Sequence, residues 1–228
     1  MSSVSTQVND SVDPLTDVIA VMDQLRSPGG CPWDIEQTHE SLVKYLLEES
    51  HEFAHAVETA DRPEMKEELG DVLLQVLFHA RIAQEHPTDP FDIADVAGAL
   101  AAKLRFRHPH VFADVTVADT AEVSRNWDAL KAQEKQRESI LDGIPRGQGA
   151  LARTQKVLGR ISKNERLANK VEVLQENIDN SNDAEKIGFE LLQLVHRAQA
   201  AGVDAEGALR QTLSGLENSV VRAEHDQQ

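Results

Sequence analysis

The sequence predicts an all-α protein, and three observations carry that expectation. Aromatic residues make up only 4 % of the 228 residues, and a composition rich in Ala, Leu, Glu and Gln favours helices over sheets. Apolar residues recur at helical spacing in one segment after another, beginning with Leu15, Val18, Ile19, Met22 and Leu25. No segment has the pattern of a strand.

Each element follows from local signals. The polar stretch MSSVSTQVND has no leader pattern, and residues 1–13 read as a flexible N-terminus. Pro14 to Arg26 is the first helix, broken by the prolines and glycines of SPGGCPWD. The stripe resumes from Leu42 through Val43, Leu46, Leu47, Phe53, Ala54 and Val57, and TADRP ends it. A third helix is expected from about Pro63 to Glu85; its middle, VLLQVLFHA, is apolar nearly all round and predicts central burial. After the turn HPTDP, another helix covers about Ile93 to Arg105, and an irregular link, RHPHVFADVTVAD, follows. Asp119 and Glu122 predict a capping box opening a helix that runs to about Arg137. DGIPRGQG, Asp142 to Gly149, marks the best internal boundary, dividing a region 14–145 from a helical region 150–228. The latter carries patterns over about Ala150 to Ser162, Ala184 to Ala200 and Ala205 to Ala223, with the polar ENIDNSND between the first two.

One internal repeat is visible. ELGDVLLQVLFHA, from Glu68, aligns without gaps on KIGFELLQLVHRA, from Lys186, matching Gly70, Leu73, Leu74, Gln75 and Ala80 with Gly188, Leu191, Leu192, Gln193 and Ala198. The acids are not kept: Glu68 falls opposite Lys186, and Asp71 opposite Phe189.

Charge and cysteine content narrow the function. A formal net charge of −16 repels nucleic-acid phosphates and anionic membranes, so neither is an expected partner. A small anionic substrate stays possible where a metal or a local basic cluster neutralises it. Cys31 is the one cysteine, which excludes a disulfide framework and a thiolate zinc cage and points to a reducing, cytoplasmic setting. No apolar run approaches the roughly 20 residues of a membrane span.

The stretch LLEESHEFAHAVETADRPEMKEELGDVLLQ holds two metal motifs, one inside the other. Glu48, Glu49 and Glu52 share one helical arc, and Glu68 and Asp71 repeat the three-residue spacing on the next helix. Two antiparallel helices would bring these acids face to face, an all-oxygen set suited to Mg²⁺ or Mn²⁺. Alternatively, HEFAH offers His51 and His55 as zinc ligands with Glu52 as a base. The long zincin pattern fails, however, because Glu58 and Asp61 stand where a glycine and a third histidine belong. A di-iron bundle would need a second Glu-x-x-His helix, which is missing from the third helix. Elsewhere, KLRFRHPH gathers Lys103, Arg105 and Arg107, and WDALK sets Trp127 and Lys131 one turn apart. Arg suits phosphate, and an indole beside a lysine can stack a base next to a phosphate contact. Together these groups describe a nucleotide polyphosphate site.

The strings GGCPWDIEQTHESLVKYLLEESHEF, EELGDVLLQVLFHARIA, KLRFRHPHVF and NWDALKAQEK resemble the MazG-type nucleoside triphosphate pyrophosphohydrolases over about residues 15 to 145. The resemblance implies an all-α fold built on a four-helix bundle completed by dimerisation. It implies Mg²⁺-dependent cleavage of NTPs or dNTPs to the monophosphate and pyrophosphate, in nucleotide-pool housekeeping. It carries metal ligation to Glu49, Glu52, Glu68 and Asp71, with Glu48 or Glu49 acting on the attacking water. It carries nucleotide contact to Lys103, Arg107, Trp127 and Lys131. Some members hold two such domains in tandem, so residues 150–228 look like a degenerate second repeat without metal ligands. On this reading the oxygen cage holds and HEFAH is incidental; a zinc peptidase or a non-catalytic nucleotide-binding protein is the alternative.

Overall fold

The structure, a computed structural model, describes residues 13–135, 139–164, 166–167 and 182–226. Among them every regular element is a helix and none is a strand. The contacts divide the chain into two units, Met1–Leu130 and Lys131–Gln228.

The first unit is organised by a helical hairpin. Helix α1 (Pro14–Arg26) opens at Asp13, whose carboxylate accepts from the Thr16 N–H, and is followed by the short α2 (Pro32–Glu36). Helix α3 (His39–Glu58) opens on a capping box between Thr38 and Ser41 and packs along α4 (Arg62–Ala83). Between them the chain reverses in three residues. The Ala60 N–H donates to the Val57 carbonyl and the Asp61 N–H to the Ala56 carbonyl, while Ala60 sits at φ 57°. This is the Schellman closure, with alanine where glycine is the usual left-handed residue. Asp61 then caps α4 by accepting from the Glu64 N–H. Helix α5 (Ile93–Arg107) packs on α4, and α6 (Pro109–Phe112) follows. The core consists of Met22, Leu42, Leu77 and Phe78, with Val18, Leu25, Tyr45, Ile82 and Ile93 packed around it.

A buried cation ties the broken segment after α1 to this hairpin. The Arg26 guanidinium pairs with Glu85 at 2.9 Å, donates to the carbonyls of Asp34 and Gln37, and lies 5.6 Å from the Phe78 ring centroid. A buried guanidinium is tolerable only because its donors are met. Gly29 takes φ +88°, and a side chain at Gly30 would collide with the carbonyl oxygens of Gln24 and Leu25. The glycines of SPGGCPWD thus allow a tight, fixed turn.

Two sequence expectations need correction. VLLQVLFHA is not buried throughout: Gln75, Leu77, Phe78 and Ala80 are, whereas Leu73, Leu74 and Val76 are exposed. Apolar character all round a helix states what could be covered, and within this unit neighbours cover one side. The helix α7 (Thr120–Lys135) does start as expected, with the Glu122 N–H donating to Asp119. The Glu122 carboxylate, however, accepts from the Ala118 N–H, one residue outside the box. Arg137, its expected end, lies outside the described residues.

The second unit is also helical in its described residues. Helix α8 (Ala150–Ser162) packs against α9 (Asp183–Ala200), and α10 (Ala205–His225) contacts both. Glu206 holds the start of α8 by accepting from the Ala152 N–H, and Gln155 links to Val203 and Ala205. Among the described residues of this unit, Leu158 and Val195 are the buried hydrophobic ones. Most of ENIDNSND lies outside the described residues. No helix among the described residues is long and apolar enough to cross a membrane.

Candidate active site

On α3, Leu42, Tyr45, Glu49, Glu52 and Ala56 recur at three- and four-residue steps; on α4, so do Glu68, Asp71, Gln75 and Phe78. Each set forms one stripe. The two stripes follow the seam of the hairpin, whose apolar half holds Leu42 and Phe78. Nearer the Ala60 turn the residues become acidic. There the carboxylate oxygens of Glu49, Glu68 and Asp71 all lie within 4.8 Å of one another.

This cluster is electrostatically unsatisfied. Glu68 is 7 % exposed, and its Oε2 is buried without a hydrogen-bond partner. Burial pushes the Glu68 carboxyl above its ordinary range, and the charges of Glu52, Glu64, Asp71 and Glu67 add to that. Glu49 is likewise pushed up, first by burial and then by Asp71, Glu52 and Glu68. Among the described residues no basic side chain pairs with the three acids. Converging carboxylates with one buried, unpartnered oxygen make a donor set that fits a hard divalent cation.

The structure therefore brings together three of the four expected ligands. Glu52 stands beside them, exposed, its charge acting on both Glu49 and Glu68; Glu48 is exposed. His51 and His55 are exposed and do not belong to the cluster.

The expected nucleotide contacts lie on α5 and α7. Lys103 is exposed, one turn before Arg107. Arg107 is buried, and its guanidinium lies over the Trp127 ring at 5.2 Å from the centroid. Lys131 follows Trp127 by one turn on α7, and both are half-buried.

Sequence reasoning missed Gln75. It is buried one turn beyond Asp71 on the same stripe, and its Oε1 has no partner. The available signal was a polar residue inside an apolar run at four-residue spacing from a ligand. A histidine pair was missed too: His39 at the start of α3 and His79 on α4 share an Nδ1–Nδ1 contact of 2.7 Å.

Residues 37–112 match the MazG nucleotide pyrophosphohydrolase domain. Over 207 residues the chain is 38 % identical to the nucleoside triphosphate pyrophosphohydrolase/pyrophosphatase MazG of Thermotoga maritima, covering 85 % of this chain and 79 % of that protein. The chain belongs to the MazG family. It is also 51 % identical over 152 residues to the nucleoside triphosphate pyrophosphohydrolase of Mycolicibacterium smegmatis, and 43 % identical over 147 residues to that of Escherichia coli K12. Those alignments cover 65 % and 63 % of this chain but 46 % and 55 % of the relatives, so the chain spans about half the length of both. The matched MazG domain contains the whole of the carboxylate cluster together with Lys103 and Arg107; Trp33, Trp127 and Lys131 fall outside it.

Proposed function

We propose that this MazG-family chain is a hydrolase acting on phosphoric anhydrides, cleaving nucleoside triphosphates to the monophosphate and pyrophosphate with Mg²⁺, or Mn²⁺ in its place. The convergence of Glu49, Glu68 and Asp71 around a buried, unpartnered oxygen carries this reading. Together with Glu52 these residues would hold the cation. Bound there, it supplies charge neutralisation of the triphosphate and a water of lowered pKa.

The chain's own groups complete the chemistry. Glu49 or the adjacent Glu48 orients the attacking water and accepts its proton. Lys103 and Arg107 balance charge on the phosphates as pyrophosphate leaves. Trp127 contacts the base, and Lys131 the phosphate chain. The protein acts in the cytoplasm on the nucleotide pool. It works as a homodimer, which would cover exposed apolar residues of α4 such as Leu69, Leu73, Leu74 and Val76. The region 150–228 is a degenerate second repeat that scaffolds and does not catalyse.

The test is a panel of NTPs and dNTPs with and without Mg²⁺, read by pyrophosphate release. Metal-dependent formation of monophosphate and pyrophosphate in equal amounts is expected. Tight nucleotide binding without turnover would leave a sensor instead of an enzyme.

A further inference from the structure

We propose that Trp33 is a base-contact residue of this site, stacking on the nucleobase of a triphosphate held at the carboxylate cluster. The proposal rests on the hydrolase reading above and adds a residue to it.

Position is the first argument. The Trp33 ring makes edge contacts with Tyr45, at 6.0 Å between centroids, and with Phe78, at 6.3 Å. Tyr45 precedes Glu49 by four residues and Phe78 follows Asp71 by seven, and each pair lies on one stripe. At 1.5 Å of rise per residue, Tyr45 and Phe78, the two rings the indole touches, stand about 6 and about 10 Å along the seam from Glu49 and Asp71. A sugar and the first phosphates of a nucleotide bridge such a gap. Between the two ends lies Gln75, with an acceptor oxygen still lacking a donor.

Exposure and rigidity are the second. Trp33 is 50 % exposed, and both of its ring neighbours meet it at steep angles, 67° and 83°, so neither lies flat on it. Here it is also immobilised: Arg26 is bonded to the carbonyls of Asp34 and Gln37 on either side of α2's end, and the Gln37 side-chain amide donates to the Trp33 carbonyl. A tight glycine turn and a buried cation thus fix an exposed aromatic plane beside a polyanion site. That is the arrangement base stacking uses, and it tolerates any base.

Trp33 and Trp127 are the two tryptophans of the chain. Trp127→Phe therefore leaves indole emission reporting on Trp33, and Trp33→Phe leaves it reporting on Trp127. Each full-length variant is titrated, with Mg²⁺ present, with an α,β-methylene nucleoside triphosphate and separately with inorganic tripolyphosphate. Trp33 emission should be quenched by the nucleotide and unaffected by tripolyphosphate. Trp33→Ala should raise KM for several nucleotides alike by about tenfold, the scale of one lost stacking contact, at a kcat close to wild type. Trp33→Phe should recover most of that loss.

Trp33 emission indifferent to nucleotide, at concentrations where the Trp127→Phe variant itself turns over the natural triphosphate, would overturn the proposal. Emission that follows protein concentration and ignores nucleotide would make the ring a subunit contact and overturn it equally. Absence of pyrophosphate from the wild type would strike the hydrolase reading instead, and the titration would still decide the base contact.

Discussion

The hairpin of α3 and α4 and the contacting pair α8 and α9 are both helix pairs, and they differ in charge. In each, the two helices pack against one another, and α4 and α9 carry similar sequences that align Leu77 with Val195, both buried. The helices they pack against are opposite in character. Helix α3 carries Glu40, Glu48, Glu49, Glu52 and Glu58, whereas α8 holds no acid and contributes Arg153, Lys156 and Arg160. Where α4 places Glu68 and Asp71 in its seam, α9 has an exposed Lys186 and a half-buried Phe189. A carboxylate cluster is stable only with something to neutralise it, while a phenylalanine needs only an apolar neighbour. The comparison separates what builds the scaffold, namely apolar rhythm and caps, from what builds the site.

The largest expected effect comes from breaking the acidic seam. Asp71→Asn, Glu68→Gln or Glu52→Gln should each lower turnover at least about a hundredfold, since several kcal/mol of charge stabilisation depend on the cation they hold. Far-UV circular dichroism should stay that of the wild type, and His55→Ala should remain close to it in activity. A dead His55→Ala beside an active Asp71→Asn would revive the histidine motif.

The same contrast can be attacked from the other unit. Lys186→Glu with Phe189→Asp restores to α9 the acids that α4 has. Introduced into Asp71→Asn, the pair should return no activity, because α8 supplies no carboxylates to complete a cluster. It should also lower stability, as Phe189 loses its apolar packing. Recovered pyrophosphate release would mean that the second unit still holds a site.

Much of this was legible in the sequence, for identifiable reasons. The ends of α1 were clear because Pro14 and SPGG punctuate it, and the pairing of Glu49 and Glu52 with Glu68 and Asp71 followed from helical spacing and a short turn. What escaped depended on distant partners. Nothing local to Arg26 announces a buried cation held by Glu85, 59 residues away. Nor can the run containing Leu73, Leu74 and Val76 say which flank will find neighbours. Nor does the sequence around Trp33 show that its ring meets Tyr45 and Phe78, partners 12 and 45 residues away.

A third prediction concerns pH and metal together. Glu49 and Glu68 hold protons more tightly in the folded chain than in the unfolded one. Their ionisation therefore lowers stability as pH climbs from near 4.5, their ordinary value, through the raised folded values. Glu85 works in the opposite direction: its hydrogen bond with Arg26 holds it low, so that contribution is lost only as pH falls below 4.5. The metal-free melting temperature should consequently decline as pH rises above about 4.5, through the range where these two carboxyls ionise. Mg²⁺ at a hundred times its dissociation constant should add about 2.7 kcal/mol at neutral pH, and progressively less towards pH 5. Scanning calorimetry in chelator and in Mg²⁺ should give curves that diverge with rising pH. Glu68→Gln should flatten the metal-free curve and remove most of the divergence. Parallel curves would mean that the cation sits elsewhere.

The smallest effect is the most direct comparison of the two units, because it uses the same turn in both. After α3, Ala60 takes the left-handed position at φ 57°. After α9, the Val203 N–H donates to the Ala198 carbonyl and the Gly202 N–H to that of Gln199, with Gly202 at φ +69°. The closure is the same and the residue in the strained position differs. An alanine Cβ in that region costs about 1–2 kcal/mol, whereas glycine gives up about 0.5–1 kcal/mol of extra chain entropy on folding. Ala60→Gly should therefore stabilise the hairpin by about 0.5–1 kcal/mol, and Gly202→Ala should destabilise its turn by a similar amount. A side chain at Gly202 would meet nothing within 4 Å, so backbone conformation alone sets the sign there. Denaturant unfolding of the two variants measures both. If Ala60→Gly lowers stability, the alanine methyl must be packing against something that glycine cannot replace. The turn beside the carboxylates would then be held by contacts that its counterpart lacks.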